Sequence, residues 1–142
     1  MKKIVLLFVS VLTLSLVSTS CSKDDEGSSA SIVGKWQFSQ EGIVVGSTET
    51  LENYQHNTNC TSKDNTEFKS DATVVSTFYE DTNCSVYTSS SSYTKNNNTL
   101  IITDAEGPQT VTIKELSATT LKVYEYDDED DVTYVSVLKR IN

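Results

Sequence analysis

Beyond residue 31 the apolar positions recur at every second residue, in short runs broken by Asn, Asp and Gly. Such alternation, in segments rich in Thr, Val, Tyr and Ser, predicts β-strands that each turn one face to a core. Eight runs read this way: about 32–40, 65–69, 73–80, 84–93, 99–104, 109–115, 120–126 and 132–140. Most connections are turns of about three to five residues, such as 70–72, 96–98 and 127–131, which suit hairpins. Eight hairpin-linked strands predict an all-β fold, an eight-stranded antiparallel up-and-down β-barrel, because closing the sheet removes its exposed edges. Segment 41–64 is the exception, a long connection in which Thr50, Leu51, Glu52, Asn53 and Tyr54 suit a short helical turn.

The register can be drawn from the turns. With 70–72 as the bend, Phe68 pairs with Val74, and one face then carries Phe68, Val74, Ser76 and Phe78. Extending that register sets position 60 opposite position 82, so Cys60 and Cys84 meet at one rim. The same alternation nominates a core of Ile32, Trp36 and Phe38; Tyr93, Leu100 and Ile102; Val111 and Ile113; Leu121 and Val123; and Tyr134 and Leu138.

The chain ahead of the strands has a different character. Lys2 and Lys3 precede an apolar run of about fourteen residues, Ile4 to Val17, which is short for a membrane span and usual for a signal-peptide core. Ser18, Thr19 and Ser20 then lead to Cys21. Small residues directly before a cysteine resemble a bacterial lipoprotein signal, which implies that Cys21 carries the lipid; Ser18 departs from the aliphatic residue usual at that place. Residues 22–30 hold no apolar side chain larger than Ala and read as a flexible tether. Asp24, Asp25 and Glu26 within it are either solvated linker charges or, by resemblance, a signal for the cell surface. The expected organisation is a leader over 1–20, an acidic tether over 21–30 and a barrel over 31–142. The expected location is the cell envelope, as an outer-membrane lipoprotein.

Charge narrows the partners. The chain carries a net −9, and loss of the leader with Lys2 and Lys3 takes it to −11. That surface disfavours nucleic acid and anionic headgroups, so the expected membrane contact is the lipid on Cys21. Setting Cys21 aside leaves Cys60 and Cys84, an even pair in an oxidising setting, and a disulfide is expected between them. Asp127, Asp128, Glu129, Asp130 and Asp131 form the densest charge cluster, but they lack the spacing and the central Gly of a calcium loop and read as a solvated turn. His56 is the single histidine and has no second ligand or nucleophile to work with. No nucleophile elbow or phosphate-cradling loop is present, so neither an enzyme nor a cofactor or metal is expected.

One ordered set of features carries a resemblance. It comprises Ile32-Val33-Gly34-Lys35-Trp36 opening the first strand, Thr66 to Ala72 with Cys60 upstream, Tyr93 to Ile102, Ile113 to Leu121, and a closing Leu138-Lys139-Arg140. This set resembles the bacterial lipocalin-like lipoproteins over about residues 31–142. The domain is shorter than a typical animal lipocalin, which argues for a smaller interior. The resemblance implies a barrel closed at one end, where the tryptophan of the Gly-x-Trp motif packs beside a late cation. Gly34, Trp36 and Arg140 are therefore expected at the closed end, with 41–64, 80–83, 104–108 and 127–131 around the mouth. Tyr54, Phe78, Tyr93, Leu100 and Tyr134 are the candidate ligand or mouth contacts. Two functions follow: a small apolar ligand bound inside under a lid formed by 41–64, or a barrel filled by Trp36, Phe38, Phe68, Phe78 and Tyr93 that serves as a protein-interaction module.

Overall fold

The computed structural model describes residues 30–142. The leader, Cys21 and the tether through Ser29 lie outside them. Nine strands run in chain order: β1 (Gly34–Val45), β2 (Thr48–Asn53), β3 (Asn65–Phe68), β4 (Thr73–Glu80), β5 (Ser85–Asn96), β6 (Thr99–Thr103), β7 (Pro108–Leu116), β8 (Thr120–Asp127) and β9 (Val132–Ile141). Every pairing is antiparallel, and β9 returns to pair with β1. Strands β1 and β3 to β9 close an eight-stranded barrel. The Phe68–Val74 pairing is as the turn at 70–72 requires, and a disulfide joins Cys60 to Cys84 with Cα atoms 5.5 Å apart.

The ninth strand corrects the reading of 41–64. Its first half is neither loop nor helical turn. Strand β1 continues to Val45, turns at Gly46, and returns as β2 on the edge that β3 leaves free, so Gly42 pairs with Leu51 and Val45 with Thr48. A register shift between Phe38 and Gln40 bends β1 so that its outer half holds β9 on one edge and β2 on the other. The two strands approach so closely that a Cβ on Gly42 would lie 1.8 Å from the Thr50 carbonyl oxygen, and only glycine fits there.

This hairpin arm lies over the outer wall of β8 and β9. Val135 and Val137 alternate with the inward-facing Ser136 and Leu138, yet they are only 1% and 6% exposed. The Glu49 carboxylate accepts from Lys122 Nζ at 2.6 Å and from the Tyr124 hydroxyl, both on the outward face of β8. The middle of β9 is thus covered on both faces, which is why Val135 and Val137 are apolar on the side that alternation would leave to solvent.

The interior core is the one that alternation nominates, with one exception. Ile32, Trp36, Phe68, Val74, Tyr93, Leu100, Val111, Ile113, Leu121 and Leu138 form one buried cluster, with Phe38, Ile102 and Val123 packed against it. Tyr134 is the exception: it sits at the rim, 42% exposed. It pairs with Glu125 where the barrel wall meets solvent.

Candidate functional site

The barrel has a sealed end and an open one, and local chemistry explains each. At the sealed end residues 30–33 cross the bottom and bury Ile32. Trp36 is 0% exposed and donates its indole N–H to the Ile32 carbonyl at 2.8 Å. Arg140, late in β9, lies over the indole with its guanidinium carbon 4.0 Å from the ring centroid. Its Nε donates to the Ala118 carbonyl and its Nη1 to that of Val33, each at 2.9 Å, while Nη2 reaches Ser31. One guanidinium therefore ties the first strand, the last strand and the β7–β8 turn, besides its cation–π contact. Gly34 leaves it room, because a Cβ there would fall 2.2 Å from Nη1 and the backbone holds φ at +138°.

Tyr93 belongs to this floor, which corrects its nomination as a ligand or mouth contact. Its ring meets Phe68 edge to face at 5.1 Å, and its hydroxyl donates to the Lys69 carbonyl at 2.8 Å. Burial pushes the phenol pKa up. Trp36, Phe68 and Tyr93 thus gather at one end and do not fill the barrel.

Above them is a cavity of about 270 Å³. Its two sides differ. Leu100, Ile102, Val111, Leu121, Val123 and Leu138, from β6 to β9, make an apolar wall. Thr66, Ser76, Ser89 and Ser91, from β3 to β5, bring hydroxyls to the other beside Phe68 and Val74, and Thr66 and Ser76 share a hydrogen bond of 2.8 Å. Among the lining residues Ser136 is the one hydroxyl on the β6–β9 side. Phe38 closes the upper part, and Asp104, Gln109 and Glu125 stand where the cavity opens. Of the sequence candidates, Leu100 lines this space directly. Phe78 stands higher, stacked between Phe38 at 6.1 Å and Tyr87 at 6.4 Å.

The rim opposite the carboxylates is a fixed aromatic row. Tyr54 stacks on Phe38 with centroids 5.0 Å apart, and His56 meets Tyr54 edge-on at 4.8 Å. Asp64 organises this side. Its carboxylate accepts from the Tyr54 hydroxyl at 3.0 Å and from the Tyr79 backbone N–H at 2.8 Å. Burial first, and then the bond to Asp64, raise the Tyr54 pKa far above its ordinary 10.0. His56 is held at both ring nitrogens: Nδ1 accepts the Asp64 backbone N–H at 3.3 Å, so Nε2 carries the proton and donates to the Phe38 carbonyl at 2.8 Å. A histidine so engaged is a strut, and its 3.8 Å approach to the Asp64 carboxylate is no ion pair in that tautomer. Asn57 bonds the Tyr79 and Asp81 carbonyls, and the disulfide pins the same loop to the start of β5. Only 54–64 of the expected lid is therefore loop, and it is strapped to the rim.

Asp64 escaped sequence reasoning because Lys63-Asp64-Asn65 has the composition of a solvated turn. Tyr87 was findable, since strand register places it opposite Phe78. The acidic turn is internally bonded, with Asp127 Oδ1 accepting from Glu129 N at 2.9 Å and from Asp130 N at 3.3 Å. Among the described residues no group of three His, Cys, Asp or Glu side chains is placed to hold a metal.

A family model described as "Lipocalin-like domain" matches residues 32–123, which is more than half of the chain. The chain belongs to the lipocalin-like domain family. Solved structures agree in shape. A lipocalin-like protein from Bacteroides uniformis superposes with a TM-score of 0.56 at 17% identity, covering 77% of this chain and 97% of its own. An uncharacterized protein from Bacteroides eggerthii gives 0.52 at 13% identity, covering 77% and 98%. At such identities the likeness shows the fold of the lipocalin-like domain. No curated protein matches the sequence.

Proposed function

We propose that this lipocalin-like domain is a lipid-anchored envelope protein that binds one small, largely apolar ligand in its barrel. The observation carrying the reading is the open cavity of about 270 Å³ with an apolar wall, in a fold that commonly houses small hydrophobic ligands. That volume lies near the lower edge of ligand sites, which run from about 300 to 1,000 Å³. At ~30 Å³ per water-sized group it takes a ligand of about ten non-hydrogen atoms. Burying roughly ten methylenes favours binding by ~8 kcal/mol, and association entropy offsets about half of it, so dissociation constants of about a millimolar are expected. The hydroxyls of Ser76, Ser89 and Ser91 suit a ligand with one polar edge over a pure hydrocarbon. A filled barrel acting only as an interaction module is less well supported, because its bulky residues collect at the floor and one rim.

Calorimetric titration with 1-nonanol tests the site. Ser89→Trp should abolish binding by filling the cavity while leaving the melting temperature within a few degrees. Undiminished binding to that variant would place the ligand elsewhere. The anchor is a separate expectation resting on the leader pattern and Cys21. Cys21→Ser should move the protein from the membrane to the soluble fraction, and an unchanged distribution would reject it. Because strand β1 starts at the sealed end, an anchored barrel would turn its mouth away from the membrane.

A further inference from the structure

Charge on the barrel is divided along its axis. The three turns at the mouth, 80–85, 103–108 and 127–132, carry nine carboxylates and neither Lys nor Arg. The cations Lys35, Lys69, Lys95, Lys114, Lys139 and Arg140 stand toward the sealed end with Glu67, Asp71 and Glu115, and Lys63, bonded to the Cys60 carbonyl in the 54–64 strap, is a cation on the mouth side. Two of the acids, Asp104 and Glu125, line the opening of the cavity itself. Beyond them a shallow groove of about 710 Å³ shares Gln109 and Glu125 with the cavity and continues over Tyr126, Tyr134, Asp127 and Asp128. A ligand leaving the apolar interior thus meets the Asp104 and Glu125 carboxylates and then Tyr134, which pairs with Glu125 and is 42% exposed at the rim, while Tyr126 lies on the outward side of β8. Clefts lined by one sign of charge focus its field on whatever enters. Carboxylates with tyrosine rings are the chemistry that holds an ammonium group. A fatty carboxylate would place its own negative charge against the same field.

We propose that the cavity selects a cationic amphiphile, an apolar body of about ten non-hydrogen atoms held inside and a protonated amine at the mouth beside Asp104, Glu125 and Tyr134. The proposal rests on the cavity being the ligand site and adds to that reading the charge of the ligand. The polar contacts are solvent-exposed, so they decide among ligands whose affinity comes from the apolar wall.

Three probes of matched length separate the two readings: nonylamine, 1-nonanol and nonanoate, titrated by calorimetry into the purified protein at neutral pH, at low and at high salt. The expected order is amine, then alcohol, then carboxylate. The amine-to-carboxylate affinity ratio should be on the order of tenfold at low salt and shrink at high salt. Asp104→Asn with Glu125→Gln should cut that ratio at least threefold. Glu67→Gln with Glu115→Gln removes the same charge from the sealed end and should leave it unchanged. Equal affinities for the three probes would overturn the cationic assignment while the cavity reading stands. A ratio lowered equally by both double variants would assign the preference to net charge and overturn the site. Binding of none of the three would overturn the proposal together with the cavity reading.

Discussion

The two ends of the barrel are built from similar residue types and do opposite things. At the floor, Trp36, Phe68 and Tyr93 pack against one another and every polar atom has a partner close by, with Arg140 bonding three carbonyls. At the mouth, Tyr54, Phe38, Phe78 and Tyr87 form a row along one side only, and the rest of the opening is left to carboxylates. Aromatic content alone therefore does not distinguish a plug from a site. What separates them is what covers the rings: Ile32 and the Arg140 guanidinium close over the floor, whereas the mouth row is left open on one side. An indole under a guanidinium seals the lumen, whereas a stacked row braces a rim and leaves space beside it.

If the floor carries stability and the mouth carries occupancy, variants at the two ends should differ in kind. The largest effect is expected from Trp36→Ala, which empties the floor and should cost about 3–5 kcal/mol in thermal or denaturant unfolding. A loss of 1-nonanol binding with no loss of stability would invert the comparison. Next comes Cys60→Ser with Cys84→Ser. Releasing a link across 24 residues should cost roughly 3.5 kcal/mol in the chain-entropy account, and the loss should appear first as faster hydrogen exchange over 54–64. Exchange that rose equally at the floor would show that rim and floor unfold as one unit. Tyr54→Phe removes one donor from Asp64 and leaves the Tyr79 N–H in place, so about 1 kcal/mol is expected, read from the urea midpoint.

The smallest effect is that of Glu49→Gln on the hairpin arm, about 0.5–1 kcal/mol, since both members of the Glu49–Lys122 pair keep partial exposure. Its pH dependence has a definite sign. The Lys122 ammonium, then the Tyr124 hydroxyl, hold the Glu49 carboxyl below its ordinary 4.5. A lowered carboxyl contributes fully above 4.5, and the contribution fades as pH falls through the depressed folded value. Lys122 is raised above 10.5 chiefly by its bond to Glu49, so its share persists below 10.5 and is lost as pH rises past the raised value. The difference in melting temperature between wild type and Glu49→Gln should stay level near neutrality and close toward zero in acid. A difference that widened in acid would contradict the clamp.

The barrel itself was legible because period-two alternation and turn residues are local signals, and the Phe68–Val74 register followed from one turn. The arm was not. Glu49 and Leu51 face the outer wall of a strand pair some seventy residues ahead, and nothing in Thr48–Asn53 announces that partner. Val135 was missed for the matching reason: alternation marks its side of β9 as solvent, and only the arm makes it interior. The floor residues Gly34, Trp36 and Arg140 were nominated by the lipocalin resemblance, with strand direction returning Arg140 to Trp36, while Asp64 and Glu125 depend on where a loop and a rim finally settle.

The single guanidinium at the floor has a mechanical consequence. A pull on the chain ahead of Ser31 enters the domain at Arg140 and Trp36, then runs lengthwise along β1. There the backbone pairs with β9, from Lys35–Ile141 to Val44–Thr133, share the load in shear instead of parting one after another. Force applied at the start of the domain would thus be resisted along the whole β1–β9 seam.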